Sequence, residues 1–594
     1  MHVVALTPPG RFPTVVPDTG RWWSTLAADC ETCCLDRLSA NAGWWRTICS
    51  PDMARIMTAT PMRRLTWHVR AGELERAAAR ASQTLDALRE TATYDSATRY
   101  IAAVSPLAEY LALLNRSQDE LYFSLDDGVR VTRLDYGDSH ALARYARRKT
   151  ILSEMIAAAL QRATGTPETH EAIDLLVVRV TCPEDLLCAM IAVERLRAHQ
   201  PGAHAMYACL ADHGYENFSL SHHLPRLRTA HTLDRIFDGI IESQDDRDVV
   251  VPVLARALTC GQAPRGFLRR SDMFPEAGSE PVAVREPRYI PPPPVETFAS
   301  EPVFWTRISQ HRCYWSRCTF CVHNLKYDHP LPPSLGEVPG ALDRLEALVN
   351  AGYHTFIFAD EALSPALLRR FCQAIIERGL AFTWSCRCKL ERAFTPELFE
   401  LMRAAGCYDV LFGLETTSLR MLRRMGKYTE GLDGEAIQGI VEAAKAAGIA
   451  LHINLIGGFP GDTPSEVTAS VDFVIRCLRT TCGATYTLNR FTLFPSTPVM
   501  NNPATYGIEP VTCATDMPAS YPYRVAPELR ADAIAVDRLL PSLAYRLRQE
   551  LGWTRFGNRP GVQAAIQLYF TSGHSAIFKT RSANAFANPL LQTD

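Results

Sequence analysis

No part of the chain is apolar for the ~20 residues that a bilayer-spanning helix needs. The longest apolar runs, Asp174–Val180 and Ile449–Ile456, have the length of buried strands. Met1–Gly10, MHVVALTPPG, lacks the cationic start and small-residue cleavage site of an export signal, so a cytoplasmic protein without a membrane span is expected. An excess of either charge is missing too. Lys and Arg total 62 against 64 Asp and Glu, a net −2, which argues against a polybasic nucleic-acid or membrane-surface protein. Glycine is outnumbered by proline, 33 to 39, and there is no repeat and no low-complexity tract beyond Pro291–Pro294, which implies rigid turns and linkers within a globular composition. What the chain has in plenty is length and cysteine. Its 594 residues exceed what one hydrophobic core uses, and with no export the 18 cysteines stay reduced, so those that cluster read as metal or cluster ligands.

The patterning divides the chain into an α/β protein of two main parts. Residues 1–262 read as one doubly wound α/β domain, with strands at Val3–Thr7, at IDLLVVRV from Ile173, at Ala203–Leu210 and at Phe237–Ile241. The Ala/Leu/Arg-rich stretch Arg21–Leu125 is expected to be a helical insertion. Residues 263–300, with a tetraproline, read as an extended linker. In 301–510, strands are expected near Phe304–Ser309, Thr355–Ala359, Phe382–Arg387, Tyr408–Gly413, Ala450–Ile456 and Thr485–Arg490. Helices are expected at Gly340–Ala351, Pro365–Arg378, Pro396–Ala405, Gly434–Ala447 and Pro464–Arg479, several opened by proline. Six such steps make a partial (β/α)6 barrel, whose chemistry belongs at the carboxyl ends of its strands. Residues 511–594 read as a tail with a helical centre, Pro527–Leu551.

Directly after the first barrel strand comes Cys313-Tyr-Trp-Ser-Arg-Cys318-Thr-Phe-Cys321. Three thiolates this close can ligate three irons of a [4Fe-4S] cluster and leave the fourth iron open to an outside ligand. Structural zinc is the alternative and normally takes four protein ligands, with His311 or His323 as candidates for the fourth. Cys372, Cys386, Cys388 and Cys407 lie in or beside barrel strands and read as small buried hydrophobes. Cys30-x2-Cys33-Cys34, in an Ala/Leu context without an adjacent histidine, reads as no metal site.

HRCYWSRCTFC followed by β/α repeats resembles the radical S-adenosylmethionine (SAM) superfamily over roughly residues 301–510, with one departure: that family's usual spacing is Cys-x3-Cys-x2-Cys, and here four residues separate Cys313 and Cys318. The resemblance implies that Cys313, Cys318 and Cys321 bind the cluster, that the open iron takes the SAM amino and carboxylate groups, and that one electron cleaves SAM to methionine and a 5′-deoxyadenosyl radical. It places Phe320 near the adenine, Asp360 and Glu361 at the SAM amino group, and Arg387 on the SAM carboxylate. Glu415 and Thr416, in Gly413-Leu-Glu-Thr, would hold the ribose. Asn454, Gly457 and Gly458, in NLIGGFPG, would line the adenine, the glycines letting backbone approach a flat ligand. Capping and surface ion pairing are the plain alternatives for Asp360 and Arg387. Arg387 and Glu415 are expected to act on SAM and to stand apart from the cysteine loop.

The first domain resembles the cobalamin-binding class of this superfamily. Leu6-Thr7-Pro8-Pro9 matches its opening strand and turn, and Phe237–Glu242 its final strand and acidic turn. The class's Gly-Gly after the penultimate strand is replaced by Ala208-Cys-Leu-Ala-Asp-His213-Gly214, where Leu210 is expected to crowd the slot for the nucleotide tail. No Asp-x-His-x-x-Gly offers a histidine to cobalt. The implied function is cobalamin-dependent C-methylation of a peptide or other small-molecule natural-product intermediate, with flavodoxin or ferredoxin as electron donor. A cobalamin-free radical SAM rearrangement, cyclisation or oxidation is the alternative. From a different class, a zinc-stapled interaction or nucleic-acid-binding protein also remains open.

Overall fold

The computed structural model describes residues 1–7, 15–17, 34–39, 41–54, 71–90, 92–93, 97–124, 128–164, 172–180, 182–198, 206–212, 220–242, 244–269, 303–308, 313–322, 338–479 and 484–551. They fall into two compact units, one built from described residues of 1–302 together with 515–518, the other from those of 303–514 and 519–551.

The first unit holds a parallel sheet of β1 (His2–Thr7), β2 (Cys34–Ser39), β3 (Leu175–Val180), β4 (Tyr207–Asp212), β5 (Gly239–Ile241) and β6 (Gly266–Leu268), in the order β2-β1-β3-β4-β5-β6. The order reverses between β1 and β3, the switch point at which doubly wound sheets bind ligands beyond their carboxyl ends. All of LLVVRV in β3 is buried, as a central parallel strand covered on both faces requires. Helices α1 (Pro183–Ala198) and α2 (Gln244–Thr259) cover it, Val250, Val251 and Leu254 of α2 packing on Val3, Val177 and Cys209.

Three expectations for this unit are corrected. Cys34–Ser39 is a strand inside the stretch expected to be helical: Leu35 and Leu38 have a helical interval, and only pairing along β1, from His2↔Cys34 to Thr7↔Ser39, makes the segment extended. Strand β4 runs two residues past its expected end, to Asp212, so Leu210 is interior to it, fully buried between β3 and β5, and is core rather than a plug at a slot. Strand β6 lies in the expected linker and extends the sheet. Elsewhere in the described part of the expected insertion Asn41–Ile48, Ala71–Ala87 and Ala97–Ser117 are helices, with Trp44 and Trp45 fully buried, but Leu121–Ser124 is a strand paired antiparallel with Gly128–Val131; the helices Ser139–Ala146 and Ile151–Thr164 follow it. Pro8, Pro9, Cys30, Cys33, His213, Gly214, the tetraproline, His311 and His323 lie outside the described residues.

In the second unit β7 (Val303–Thr306), β8 (Thr355–Phe358), β9 (Thr383–Lys389), β10 (Cys407–Glu415), β11 (Ala450–Gly457) and β12 (Thr485–Arg490) run parallel, side by side in chain order. Between them lie α3 (Val338–Asn350), α4 (Pro365–Glu377), α5 (Pro396–Ala404), α6 (Leu419–Arg424), α7 (Gly434–Ala446) and α8 (Pro464–Leu478). All six strands and five of these helices stand where patterning put them; the short α6 was not foreseen. The local reason is punctuation. Ser364, Thr395, Asp433 and Thr463 each cap a helix through a side-chain oxygen, Thr463 in a capping box with Glu466, and proline follows three of the four caps. The expected tail is also corrected. Helix α9 (Pro527–Leu551) has the bounds read from the sequence, but Val536, Leu540, Leu543 and Leu547 are buried, and Arg490 grips Asp537 through two 2.8 Å bonds, so it is a part of the barrel unit.

Candidate functional site

Alternation along the barrel strands separates an apolar from a polar face. On β9, Trp384, Cys386 and Cys388 share one face, and Trp384 packs edge-on against Phe358 and against Phe371 of α4. Cys386 and Cys388 have sulfurs 3.6 Å apart, and burial pushes the Cys386 and Cys407 thiols well up, which keeps them neutral packing groups as expected. Ser385, Arg387 and Lys389 lie on the other face. The register continues it, Arg387↔Leu411↔His452↔Thr485 and Lys389↔Gly413↔Asn454↔Thr487. His452 is the hub of its own network: one ring nitrogen is 2.8 Å from Thr485 Oγ1, the other 2.7 Å from Asn454 Oδ1 and 2.9 Å from Thr487 Oγ1.

The cysteine loop follows β7 at the carboxyl end of the sheet, with Cys313, Cys318 and Cys321 half-buried. Burial raises the Cys313 thiol, while hydrogen bonds from the backbone of Ser316 and Trp315 favour its thiolate. Burial pushes Cys318 up to about 11, against Lys427, which lowers it. Ser316 turns the loop with φ 50, a left-handed conformation that costs a non-glycine residue roughly 1–2 kcal/mol, and its hydroxyl donates to Cys313 O. The residue by which the loop exceeds the usual spacing is thus accommodated in a tight turn.

The loop rests on the turn after α6. Thr319 N–H donates to Met425 O at 2.9 Å, Thr319 Oγ1 to Arg424 O at 3.3 Å and Trp315 Nε1 to Gly426 O at 2.9 Å. Gly426 has φ 68, and a β-carbon there would meet Arg317 O at 2.1 Å, so only glycine fits. Lys427, next in the chain, is buried and lies 2.5 Å from Glu415 Oε1. Burial works against its charge; Glu415 and the sulfurs of Cys318 and Cys321 outweigh that and hold its pKa above the ordinary lysine value. Gly413 makes this pair feasible, since a β-carbon there would come within 2.3 Å of both Glu415 Oε1 and Lys427 Nζ. Glu415 has φ 65 where the β10–β11 register slips. Glu415 therefore does not stand apart from the cysteine loop; it is joined to it through Lys427.

The other expected contacts gather at the same end of the sheet, several with structural partners. Asp360 is buried and accepts the Ile308 N–H at 2.9 Å, tying β8 to β7. Glu361, also buried, has Arg307 at 3.8 Å. Arg387 is buried rather than paired at the surface, and its carbonyl accepts from Leu363 N–H at 2.9 Å. Thr416 Oγ1 lies 3.2 Å from Ser470 Oγ and accepts from Ser418 N–H at 3.1 Å, fastening the start of α6. Gly457 also lies against α9: a β-carbon there would come within 2.5 Å of Leu540 Cδ2, so the side chain of Leu540 would have to shift. Gly458, at φ 80, donates its N–H to Asp462 Oδ2 at 2.9 Å. Phe320 meets Phe459 edge-on at 6.4 Å, beside a cluster with Met421, Met425 and Phe491.

The chemistry of the donor set, three thiols on one loop, suits a cluster. On that loop backbone N–H groups and a neighbouring ammonium offset thiolate charge. No known family model matches the chain. An uncharacterized methyltransferase of Pyrococcus horikoshii is 31% identical over 99 residues, 17% of this chain and 21% of that protein, so the match spans about a fifth of its relative's length. Among solved structures, the chain is similar to the radical S-adenosylmethionine methyltransferase TsrM from Kitasatospora setae, with cobalamin and a [4Fe-4S] cluster bound, at TM-score 0.44 and 16% identity over 73% of this chain and 91% of that one. It is also similar to the cobalamin-dependent S-adenosylmethionine radical enzyme OxsB, with aqua-cobalamin and S-adenosylmethionine bound, at TM-score 0.45 and 13% identity over 72% and 65%. The likeness is to radical S-adenosylmethionine enzymes.

Lys389, Lys427 and His452 were missed from sequence, as was the turn 424–427. Period-two alternation in WSCRCK and ALHINL, read as two faces instead of as one buried strand, points to Lys389 and His452. Nothing local marks Lys427, which reaches the site only through tertiary packing.

Proposed function

We propose that the chain is a radical SAM enzyme: Cys313, Cys318 and Cys321 hold a [4Fe-4S] cluster, whose open iron binds SAM and supplies the electron that cleaves it to a 5′-deoxyadenosyl radical. The observation that carries this reading is the half-buried three-cysteine loop at the carboxyl end of an open β/α barrel, steadied by backbone N–H groups and seated on the turn at Lys427. The chain's own residues have four tasks. The loop positions the thiolates, the 424–427 turn fixes the loop, the polar face around Arg387, Asn454 and His452 offers donors and acceptors to the nucleoside and amino-acid ends of SAM, and Phe320 with Phe459 gives an apolar wall that keeps water from the reacting atoms.

The finer reading is methyl transfer to carbon in a peptide or other small natural-product intermediate. It assigns cobalamin to the switch point of the first unit, between the ends of β1 and β3, and names flavodoxin or ferredoxin as reductant. Methyltransferase is the name carried by the Pyrococcus relative. No described helix is long and apolar enough to cross a membrane, and a reduced cytoplasm suits the many free thiols. Anaerobic incubation of the reconstituted chain with SAM and dithionite should release 5′-deoxyadenosine; no cleavage by a protein with a full cluster contradicts the reading. For the cobalamin part, stoichiometric retention of hydroxocobalamin through gel filtration is expected. Loss of all corrinoid alongside intact SAM cleavage would leave a cobalamin-free enzyme.

A further inference from the structure

Two ammonium groups flank the cysteine loop. Lys427 is held on one side by Glu415, in a space that only Gly413 leaves open, and it follows directly on the three carbonyls, of Arg424, Met425 and Gly426, on which the loop rests. Lys389, at the end of β9, sits 3.8 Å from the centre of the Trp315 ring, a residue of the loop itself, and donates to Thr429 Oγ1. Both interact electrostatically with Cys313 and Cys318. The acidic groups that face them are Glu415 beside Lys427, Glu391 beside Lys389, and Glu361 near Cys313. A buried lysine with a single carboxylate would be a neutral pair. Here a second lysine, itself opposed by Glu391 and with its pKa lowered by burial to about 8, also acts on Cys318 and Cys313.

We propose that Lys389 and Lys427 are positioning residues that act as fixed counter-charges to the cluster, raising its reduction potential, and that Glu415 trims this effect from the far side of Lys427. The inference rests on the reading that the three cysteines hold a cluster. The physical basis is that a reduced cluster carries one more negative charge than an oxidised one, so nearby positive charge at a partly buried site favours reduction, and net charge is one of the quantities that set cluster potentials. The signs follow. Removing either lysine lowers the potential, and removing the carboxylate raises it.

The test uses the full chain, reconstituted anaerobically with iron and sulfide, in wild type and in the variants Lys389→Met, Lys427→Met, Lys427→Arg and Glu415→Gln. Iron and sulfide content are measured first, and the midpoint potential follows by redox titration monitored by electron paramagnetic resonance, without SAM. Lys389→Met and Lys427→Met should each make reduction about tenfold less favourable, a shift of about −59 mV for a one-electron couple. Glu415→Gln should shift it the other way, and Lys427→Arg should stay near wild type. If Lys427→Met does not fold, Lys389→Met and Glu415→Gln carry the test with their opposite signs. Potentials that do not move, or that all move in one direction, overturn the counter-charge role while leaving the cluster reading intact. A wild-type chain that takes up no iron and sulfide overturns both.

Discussion

The two units carry sheets of the same parallel kind, yet the sequence announces them unequally. In the barrel unit, each of the parallel strands β7–β12 is four residues or longer, and six described helices begin at a Ser, Thr or Asp cap. In the first unit, β5 and β6 are three residues each, and β2 has leucines at a helical interval. Punctuation and period accumulate into a readable fold where elements are long and capped. Where strands are short and lie toward an edge, pairing with a neighbour decides, and pairing is not a local property.

The largest expected effect separates chemistry from fold within the barrel. Replacing Cys313, Cys318 and Cys321 together by Ala should abolish bound iron, sulfide and SAM cleavage while circular dichroism and thermal unfolding change little, because the half-buried loop adds little to the core. Unfolding of this variant would make the loop a structural staple instead.

The next probe moves to the first unit. Leu210→Ala should cost about 2–5 kcal/mol of stability, as for a leucine deleted from a packed core, and should not improve hydroxocobalamin retention. A gain in retention without loss of stability would restore Leu210 to a slot.

How far the site itself was readable can be argued from individual residues. The three cysteines stand out because they share nine residues of chain. Glu415 was read correctly as a strand-end carboxylate, but its tie to Lys427 was not, because a separation of twelve positions and a glycine clearance at Gly413 create it. Gly457 shows another contact hidden from sequence: besides its expected place at a ligand, it lies against Leu540, a residue of α9. Gly457→Val should lower stability by roughly 1–3 kcal/mol through crowding, and adding Leu540→Ala should restore part of it. Additive losses would separate the two positions.

The smallest expected effect is on pH dependence. Burial pushes the Asp462 carboxyl up to about 7, even though it accepts N–H groups from Phe459 and Gly458. A carboxyl whose pKa is higher folded than unfolded favours folding when protonated, so its contribution is present below its usual value of about 3.8 and is lost as pH rises through about 7. Asp462→Asn should therefore gain on wild type between pH 5 and pH 8 in thermal unfolding. A constant difference between the two proteins would place Asp462 in the ordinary carboxylate range.

The central claim is that one loop of the barrel unit holds a cluster with an iron open to SAM. Its most direct measurement is iron and sulfide analysis of the anaerobically reconstituted chain, followed by electron paramagnetic resonance of the reduced protein with and without SAM. The account predicts about four iron and four sulfide per chain and a reduced-cluster signal that changes when SAM is added. A colourless protein that retains zinc, holds no acid-labile sulfide and shows no such signal would contradict it.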